Sequence, residues 1–348
     1  MEVARPDAEN RVVVLKLLLA LLVLGVGCVL SVLLWIQHTL SPASTEAQQA
    51  TPLRFEVEAG DSMGQVAAAL EAEGLIRNAR AARWFARAED LSSKLKVGEY
   101  ELSANLSTPE ILEILAEGRV QTHLVVIPEG LRASEIAARL GDAGLVDPEA
   151  FLAIVMDPAA ARSRGIEAGG LEGYLFPDSY RFARGLPAER VVDAMVGEFL
   201  SVYQELGPVE KRTGLSMHEF VTLASIVEKE TGAPEERPLI AAVFLNRLRR
   251  RMRLETDPTV IYGIQDFDGN LRRVHLLDAQ NPYNTYKVPA LPPGPIASPG
   301  RDALEAVLNP ADTPYLYFVS RNDGTHTFST SYAEHRKAVD RFQRRRHR

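Results

Sequence analysis

An uncharged apolar stretch near the N-terminus constrains this chain more than any other feature. The span from Leu17 to Ile36 contains no Asp, Glu, Lys or Arg. A helix of about 20 residues crosses the ~30 Å hydrocarbon core of a bilayer. A cleavable signal peptide would have a shorter apolar core and an exit site of small residues, and the stretch has neither. The sequence therefore predicts a single transmembrane signal anchor at residues 17–36.

The charges that flank this span predict its orientation. Arg5, Arg11 and Lys16 precede it, whereas residues 37–53 contain no Lys or Arg. Positive charge stays on the cytoplasmic side, so residues 1–16 are predicted to be cytoplasmic and the rest of the chain periplasmic, attached to the inner (plasma) membrane by one pass. Residues 37–53 are rich in Ser, Thr, Ala, Gln and Pro, which predicts a flexible stalk.

Cysteine content and charge exclude several classes of protein. Cys28 is the only cysteine and lies inside the apolar span, so we expect no intramolecular disulfide and no zinc thiolate site outside the membrane. The net charge of -7 argues against nucleic acid as a partner, because such proteins present a basic face. Only residues 341–348 form a basic tail, for which a solvated helix end is expected.

An internal repeat follows the stalk at a constant offset of 70 residues. The first copy runs from Phe55 to Ile76 and the second from Val125 to Val146. Each copy alternates like a strand, turns at a glycine, continues with helical apolar spacing and stops at a Gly-Leu pair. The pattern predicts two strand-helix-helix units. In the first, residues 94–102 return as a strand, which gives the order of small wall-binding modules.

The C-terminal half mixes helix and strand signals and is predicted to be α+β. An apolar helical run begins at Met217 and stops at Gly232. The pair Asp257-Pro258 is typical of an N-cap followed by the first residue of a helix. Near the end, two strand-like segments flank Asn322-Asp323-Gly324, which is a hairpin turn signal.

Two glutamates, Glu228 and Glu230, close the apolar run from Met217. Helix carbonyls and burial both disfavour a negative charge there, so a carboxyl at this place tends to keep its proton, as a general acid must. The alternative is a solvated helix end or an ion pair, since Lys229 lies between them. Residues two apart on a helix point about 200° apart, so the two carboxyls cannot face one bound ligand together.

Few catalytic chemistries remain possible for this chain. The chain has no HExxH, no Walker loop, no GxSxG elbow and no dinucleotide fingerprint. Its histidines are not spaced as metal ligands. His326 is expected to be a strand histidine that is hydrogen-bonded to a neighbouring residue, with substrate contact as the alternative. Carboxylate chemistry is left, and glycoside cleavage relies on it most often. One acid/base is enough if the attacking group is a hydroxyl of the substrate itself.

Several motifs together resemble the endolytic murein transglycosylase family (MltG, YceG-like). The resemblance runs from the apolar span to Tyr332-Ala-Glu-His335 and covers nearly the whole chain. The stretches that carry it are Leu171 to Tyr180, Ala224 to Thr231, Phe244 to Leu248, Met252 to Tyr262, Tyr283 to Tyr286, Leu291 to Ile296, Tyr315 to Phe318 and His326 to Phe328.

The resemblance implies a domain order and a fold class. Residues 54–122 would form a small LysM-like α/β subdomain that binds glycan. Residues 123–340 would form a larger α+β, YceG-like catalytic domain, with the second copy of the repeat at 123–160. With the single N-terminal transmembrane helix, the expected class is α+β overall.

The resemblance also implies a reaction. The MurNAc-GlcNAc β-1,4 bond of nascent peptidoglycan would be cleaved to leave 1,6-anhydroMurNAc ends, and strand elongation would thereby be limited. Glu228 would be the acid/base, with Glu230 as a supporting residue. No cofactor or metal is expected. Glycan strands are the expected partner, and cell-wall synthases are candidate protein partners.

Further site candidates are polar or aromatic groups in the shared motifs, which either contact sugar or act as caps and packing residues. Asp257 is favoured as a cap. For Asn284 and Tyr286, sugar contact and a structural role are evenly balanced. Glu255 stands where the resemblance implies a glutamine, in the family's run Arg-Leu-Gln-Thr-Asp-Pro. The extra carboxylate either permits some hydrolysis or is a conservative change. The full set is Glu230, Asn246, Glu255, Thr256, Asp257, Tyr283, Asn284, Tyr286 and His326.

Two other functions stay open at the level of sequence. A non-catalytic peptidoglycan-binding scaffold of the synthesis machinery would use the repeat and the stalk without turnover. A muramidase hydrolase would cleave the same bond with water and leave reducing ends.

Overall fold

The computed structural model describes residues 8–45, 51–58 and 60–344. The predictions for residues 1–7, for the middle of the stalk at 46–50 and for the tail at 345–348 lie outside these residues. The chain divides into two compact units with the boundary between Thr122 and His123. Each unit has its own hydrophobic core.

The N-terminal unit contains one long helix followed by a small mixed fold. Its elements in chain order are α1 (Ala8–Leu40), β1 (Leu53–Val57), α2 (Met63–Ala72), α3 (Ala79–Ala88), β2 (Gly98–Leu102) and α4 (Thr108–Glu117). Strands β1 and β2 pair antiparallel, from Leu53 opposite Leu102 to Val57 opposite Gly98. The predicted return strand is therefore present, and the strand-helix-helix-strand order is confirmed.

Helix α1 contains the apolar span. Residues Leu15–Leu40 form the one helix, among the described residues, that is long and apolar enough to cross a membrane, with a mean hydropathy of 3.0. The helix continues four residues past the predicted end at Ile36. Beyond it, the Pro42 carbonyl accepts a hydrogen bond from Arg77, and the Ser44 N–H donates to Ala104. The flexible stalk predicted from residue 37 is therefore wrong up to Ser44, because these residues extend the helix or bond to the unit.

The C-terminal unit is larger and mixes helices with two short antiparallel sheets. Its first half contains β3 (His123–Val126), α5 (Ala133–Asp142), α6 (Pro148–Val155), α7 (Pro158–Ser163), β4 (Ser179–Phe182), α8 (Ala188–Glu205) and α9 (Val209–Thr213). Its second half contains α10 (Met217–Glu230), α11 (Arg237–Arg249), α12 (Asp257–Tyr262), α13 (Arg273–Leu277), α14 (Arg301–Leu308), β5 (Tyr317–Ser320), β6 (His326–Ser329) and α15 (Tyr332–Val339). The predicted mixture of helix and strand is confirmed.

The internal repeat is visible in the structure. Helix α5 begins 70 residues after α2, and both helices are ten residues long. Each buries the same pattern of side chains, with Val66, Ala67 and Leu70 in the first copy and Ile136, Ala137 and Leu140 in the second. Strands β3 and β4 pair antiparallel, so the second copy is also closed by a returning strand. The sequence repeat therefore marks two copies of one local fold.

Helix α10 lies at the centre of the C-terminal unit. It packs against α11, α12 and α14, and its residues from Phe220 to Val227 are all buried. Ser216 caps its N-terminus in a capping box with Glu219. The helix ends at Glu230, and Thr231 is extended. This central, buried helix fixes the positions of both glutamates at its end.

The last residues described pack on the final hairpin. Asn322 has a φ of 65° in the turn between β5 and β6, and its amide donates to the Phe342 carbonyl at 2.9 Å. Gln343 donates to the Ser320 carbonyl. The basic tail thus begins as a segment bonded to the hairpin rather than as a wholly solvated helix end.

Candidate active site

The two glutamates at the end of α10 face different surroundings. The carboxylate of Glu228 contacts Arg237 and the backbone of Gly300, whereas that of Glu230 contacts Thr256. The separation expected from helix geometry is therefore observed. The two groups belong to different clusters and can have different roles.

Glu230 is the carboxyl whose environment favours the protonated form. Burial raises the pKa of its carboxyl to about 7, and the negative charge of Asp257 acts in the same direction. The hydroxyl of Thr256 donates to the carboxylate, and the more distant Arg247 also favours the charged form, but both are outweighed. As whole residues, Glu230 and Glu228 are both half-buried.

A buried network of threonines holds Thr256 in place. Thr256 donates its N–H to the Thr285 hydroxyl at 3.0 Å, and the hydroxyls of Thr259 and Thr285 lie 2.8 Å apart. All three residues are almost fully buried. A fixed hydroxyl next to Glu230 orients the carboxyl, as a catalytic geometry requires.

The structure corrects the expected role of Asp257. Asp257 is the first residue of α12, and Thr256 occupies the N-cap position without a side-chain cap bond. The Asp257 carboxylate instead accepts a 2.7 Å hydrogen bond from the Tyr286 hydroxyl. The prediction of Asp257 as a cap was wrong by one position. Its carboxylate and Tyr286 are therefore part of the surroundings of Glu230.

Arg247 and Glu255 form the next part of this cluster. The Arg247 side chain is 9% exposed and donates to the Leu316 and Leu254 carbonyls and to Glu255 at 3.2 Å. It also lies over the Tyr317 ring, 5.1 Å from the centroid. Glu255 has a φ of 50°, a left-handed conformation that turns the chain before α12. Its carboxylate is thus engaged by a fixed guanidinium.

Glu228 lies in a separate ionic cluster. Its side chain is 6% exposed, and Arg237 donates to it at 3.0 Å. The same guanidinium contacts Asp302 at 3.1 Å and Glu129 at 3.5 Å. The Gly300 N–H donates to Glu228 at 3.0 Å just before α14. Glu228 therefore ties the end of α10 to α11 and to the start of α14.

The other predicted residues lie outside the cluster around Glu230. The amide of Asn246 donates to the Thr313 and Tyr315 carbonyls, and that of the fully buried Asn284 donates to three backbone carbonyls. His326 bonds Glu236 through its ring and its backbone, as expected for a strand histidine. Both asparagines therefore hold loops in place, which is the packing alternative.

Glu172 is a buried acid that is not among the site residues predicted from the sequence. Burial raises the pKa of its carboxyl to about 7, against hydrogen bonds from the Ala133 N–H and the Tyr262 hydroxyl. The Tyr262 ring lies 4.6 Å from that of Tyr283, which places Tyr283 in this second cluster. The sequence contained one signal for this site: Glu172 is an acidic residue between Leu171 and Gly173 at the start of an aromatic-rich loop.

Two loops that carry the family resemblance meet beside α10. A Cβ on Gly173, whose φ is +85°, would lie 2.3 Å from Pro295. The His218 ring bonds the Tyr174 hydroxyl at 2.9 Å on one side and the Pro293 carbonyl at 2.8 Å on the other. These contacts hold both loops against the same helix. Within the part of the chain described, no group of three or more His, Cys, Asp or Glu is arranged to hold a metal ion.

Comparison with known proteins matches this chain to one family. The model of the YceG-like family matches residues 55–341. A protein of Bacillus subtilis (strain 168) named endolytic murein transglycosylase is 28% identical over 325 residues, which cover 89% of each chain. A protein of the same name from Streptococcus pneumoniae (strain ATCC BAA-255 / R6) is 30% identical over 314 residues, 80% of this chain and 56% of the longer relative.

A solved structure gives the same result. The crystal structure of a yceG-like protein from Listeria monocytogenes is 32% identical and aligns with a TM-score of 0.57. The alignment covers 82% of this chain and 99% of the Listeria chain. The match of the family model to most of the chain, together with this shared fold, shows that the chain belongs to the YceG-like family.

Proposed function

We propose that this chain is a membrane-anchored endolytic lytic transglycosylase of peptidoglycan, with Glu230 as its acid/base. The observation that carries the catalytic role is the carboxyl of Glu230, which accepts a hydrogen bond from the Thr256 hydroxyl and whose pKa is raised to about 7 by burial. The substrate class is supported by the relatives from Bacillus and Streptococcus, which are named endolytic murein transglycosylases. The chain is then a lyase that cuts within glycan strands.

The reaction needs one group that first gives and then takes a proton. Glu230 protonates the glycosidic oxygen between MurNAc and GlcNAc, and the C1–O4 bond breaks. The muramyl C6 hydroxyl then bonds to C1 and gives its proton to the Glu230 carboxylate, which closes the 1,6-anhydro ring. A pKa near the working pH serves both steps. The Thr256 hydroxyl stabilises the carboxylate between them.

The resemblance of motifs assigns the acid/base to Glu228, and that assignment stays a prediction. We favour Glu230 as the acid/base because the Glu228 carboxylate is already bound by Arg237 and by the Gly300 N–H. Both contacts occupy the Glu228 carboxylate with structural partners from α11 and from the start of α14. We therefore propose that Glu228 positions the end of α10 and that Glu230 performs the proton transfers.

The N-terminal unit supplies the anchor and a second glycan contact in this proposal. Helix α1 crosses the inner membrane with its N-terminus in the cytoplasm, as favoured by Arg5, Arg11 and Lys16, which precede the apolar span at residues 17–36. The strand-helix-helix-strand order of residues 53–102 is the basis for a LysM-like role in binding strands. Both units would then face the periplasm, where nascent glycan is available.

Product analysis tests the function. Full-length protein in detergent is incubated with uncrosslinked glycan strands, and the products are identified by mass spectrometry. We expect internal cleavage with 1,6-anhydroMurNAc ends and a rate that falls as the pH rises above about 7, because Glu230 must start protonated. Reducing ends would instead identify a muramidase hydrolase, and binding without cleavage would identify a scaffold.

A further inference from the structure

Helix α3 of the N-terminal unit has two contrasting faces. Ala81, Ala82 and Ala86 are buried against the core of the unit. Arg80, Arg83, Trp84 and Arg87 follow the spacing i, i+3, i+4 and i+7, which places them on one side of a helix, and all four are exposed. We call these four residues the Arg-Trp face. Trp84 is 61% exposed, which is unusual for the largest apolar side chain.

The charges on this face are not neutralised within the protein. None of its three arginines forms an ion pair with any residue in the described part of the chain. The face borders a shallow concavity of about 620 Å³, to which Asp61 contributes a carboxylate. Three guanidinium groups against this carboxylate leave a net positive surface. Such a surface is suited to an anionic partner with phosphate groups, which arginine binds in bidentate fashion.

The position of α3 indicates which partner lies within reach. Helix α1 packs against α3. Arg77, just before α3, donates to the Pro42 carbonyl at 2.7 Å, and Pro42 lies two residues beyond the end of α1. A helix of ten residues is only ~15 Å long, so the whole Arg-Trp face lies close to the point where α1 would leave the bilayer. The headgroup region of the bilayer and its electrostatic field, which decays over a Debye length of ~8 Å, reach a comparable distance from the hydrocarbon core.

We propose that the Arg-Trp face lies on the membrane surface and binds the headgroups of anionic phospholipids. The proposal rests on the membrane anchor proposed above, because only an inserted α1 places α3 at the bilayer. Arginine and tryptophan are suited to this boundary: guanidinium groups contact phosphates, and an indole ring has one apolar and one polar side. With α1 as the first point of attachment, the face gives a second and fixes the orientation of the N-terminal unit.

Tryptophan fluorescence can test this in the full-length protein. The chain has two tryptophans, so Trp35→Phe leaves Trp84 as the single reporter. This protein is reconstituted in vesicles of phosphatidylcholine, or of phosphatidylcholine with phosphatidylglycerol, and quenched with acrylamide, a neutral water-soluble quencher. We expect quenching of Trp84 to be at least about twofold weaker in the anionic vesicles and the difference to shrink at high salt.

Matched variants in the same background separate the face from general charge. Replacing Arg80, Arg83 and Arg87 by Gln should remove the difference between the two lipids, whereas replacing them by Lys should keep most of it. The control replaces Arg139, Arg162 and Arg190, exposed residues of the C-terminal unit, by Gln. This control changes the net charge equally and should leave the difference intact.

Three outcomes would overturn the proposal in distinguishable ways. Equal quenching in both lipids, with the protein still floating with the vesicles, contradicts the Arg-Trp face while the anchor stands. Protection of Trp84 by soluble glycan strands in phosphatidylcholine vesicles, with no effect of anionic lipid, identifies a glycan site instead. Loss of flotation contradicts the anchor, and the face with it.

Discussion

A carboxyl group can act as both acid and base only if its pKa lies close to the working pH. Glu230 meets this condition because burial and the neighbouring Asp257 both oppose its ionisation. Glu228, two positions earlier on the same helix, is bound by a buried arginine. The two carboxyls therefore differ in the partners that they face, and the proposed proton transfer by Glu230 depends on this difference.

The charge of Asp257 can be tested through the pH profile. Asp257→Asn removes a negative charge that raises the pKa of Glu230, so that pKa should fall. We expect the alkaline limb of the cleavage rate to move to lower pH. Tyr286→Phe is the matched control, because it removes only the donor to Asp257 and keeps the charge. An unchanged limb in Asp257→Asn would show that Asp257 does not act on the group that limits the rate at high pH.

The sequence predicted part of this cluster. Glu255, Thr256, Asp257 and Tyr286 are four of the nine further candidates named from the sequence, and the structure places them around Glu230 or its neighbours. The choice between Glu228 and Glu230 depends on Arg237 and Thr256, which reach the helix end from other elements. Contacts of that kind follow from tertiary packing, so neither spacing nor composition along α10 could reveal them.

At the scale of elements, α10 is held by the loops that pack on it. The loop that begins at Leu171 and the Pro-rich loop around Pro295 meet at Gly173, where a positive φ and the lack of a side chain are both needed. His218 on α10 bonds residues of both loops. The helix, the repeat and the hairpin were predictable because their periodicity is local. The contact between these two loops was not, because more than a hundred residues separate them.

Gly173→Ala should destabilise the C-terminal unit strongly. Left-handed strain and a clash with the rigid Pro295 ring together cost roughly 2–5 kcal/mol. Gly185→Ala is the matched control, since Gly185 has a φ of +72° with open space around it and should lose only about 1 kcal/mol. Urea unfolding measures both free energies. Equal losses would mean that the contact with Pro295 contributes nothing.

At the scale of the whole molecule, two buried carboxyls oppose folding at neutral pH. The pKa of both Glu172 and Glu230 is raised from an ordinary 4.5 to about 7. Between these values the unfolded chain releases protons that the folded chain keeps, so ionisation favours unfolding. Their contribution to stability is complete below about pH 4.5 and is lost as the pH rises through 7. The site is therefore maintained at a cost to the fold.

Replacing both acids by Gln should flatten this pH dependence. Each pKa shift corresponds to an upper bound of about 3 kcal/mol, so the Tm of the wild type should fall more between pH 5 and pH 8 than that of the double variant. The double variant should also be the more stable protein at pH 8. Thermal unfolding followed by circular dichroism gives both curves. Parallel curves would show that neither acid is protonated in the folded state.

One matched pair of variants decides whether Glu230 or Glu228 transfers the protons. Glu230→Gln and Glu228→Gln are compared for anhydro-ended product formed per folded molecule. We expect Glu230→Gln to abolish product without loss of stability. Glu228→Gln should retain activity and lose less than the roughly 3–5 kcal/mol of a fully isolated buried charge, since Arg237 keeps Asp302 and Glu129. Full activity in Glu230→Gln with none in folded Glu228→Gln would show that Glu228 transfers the protons instead.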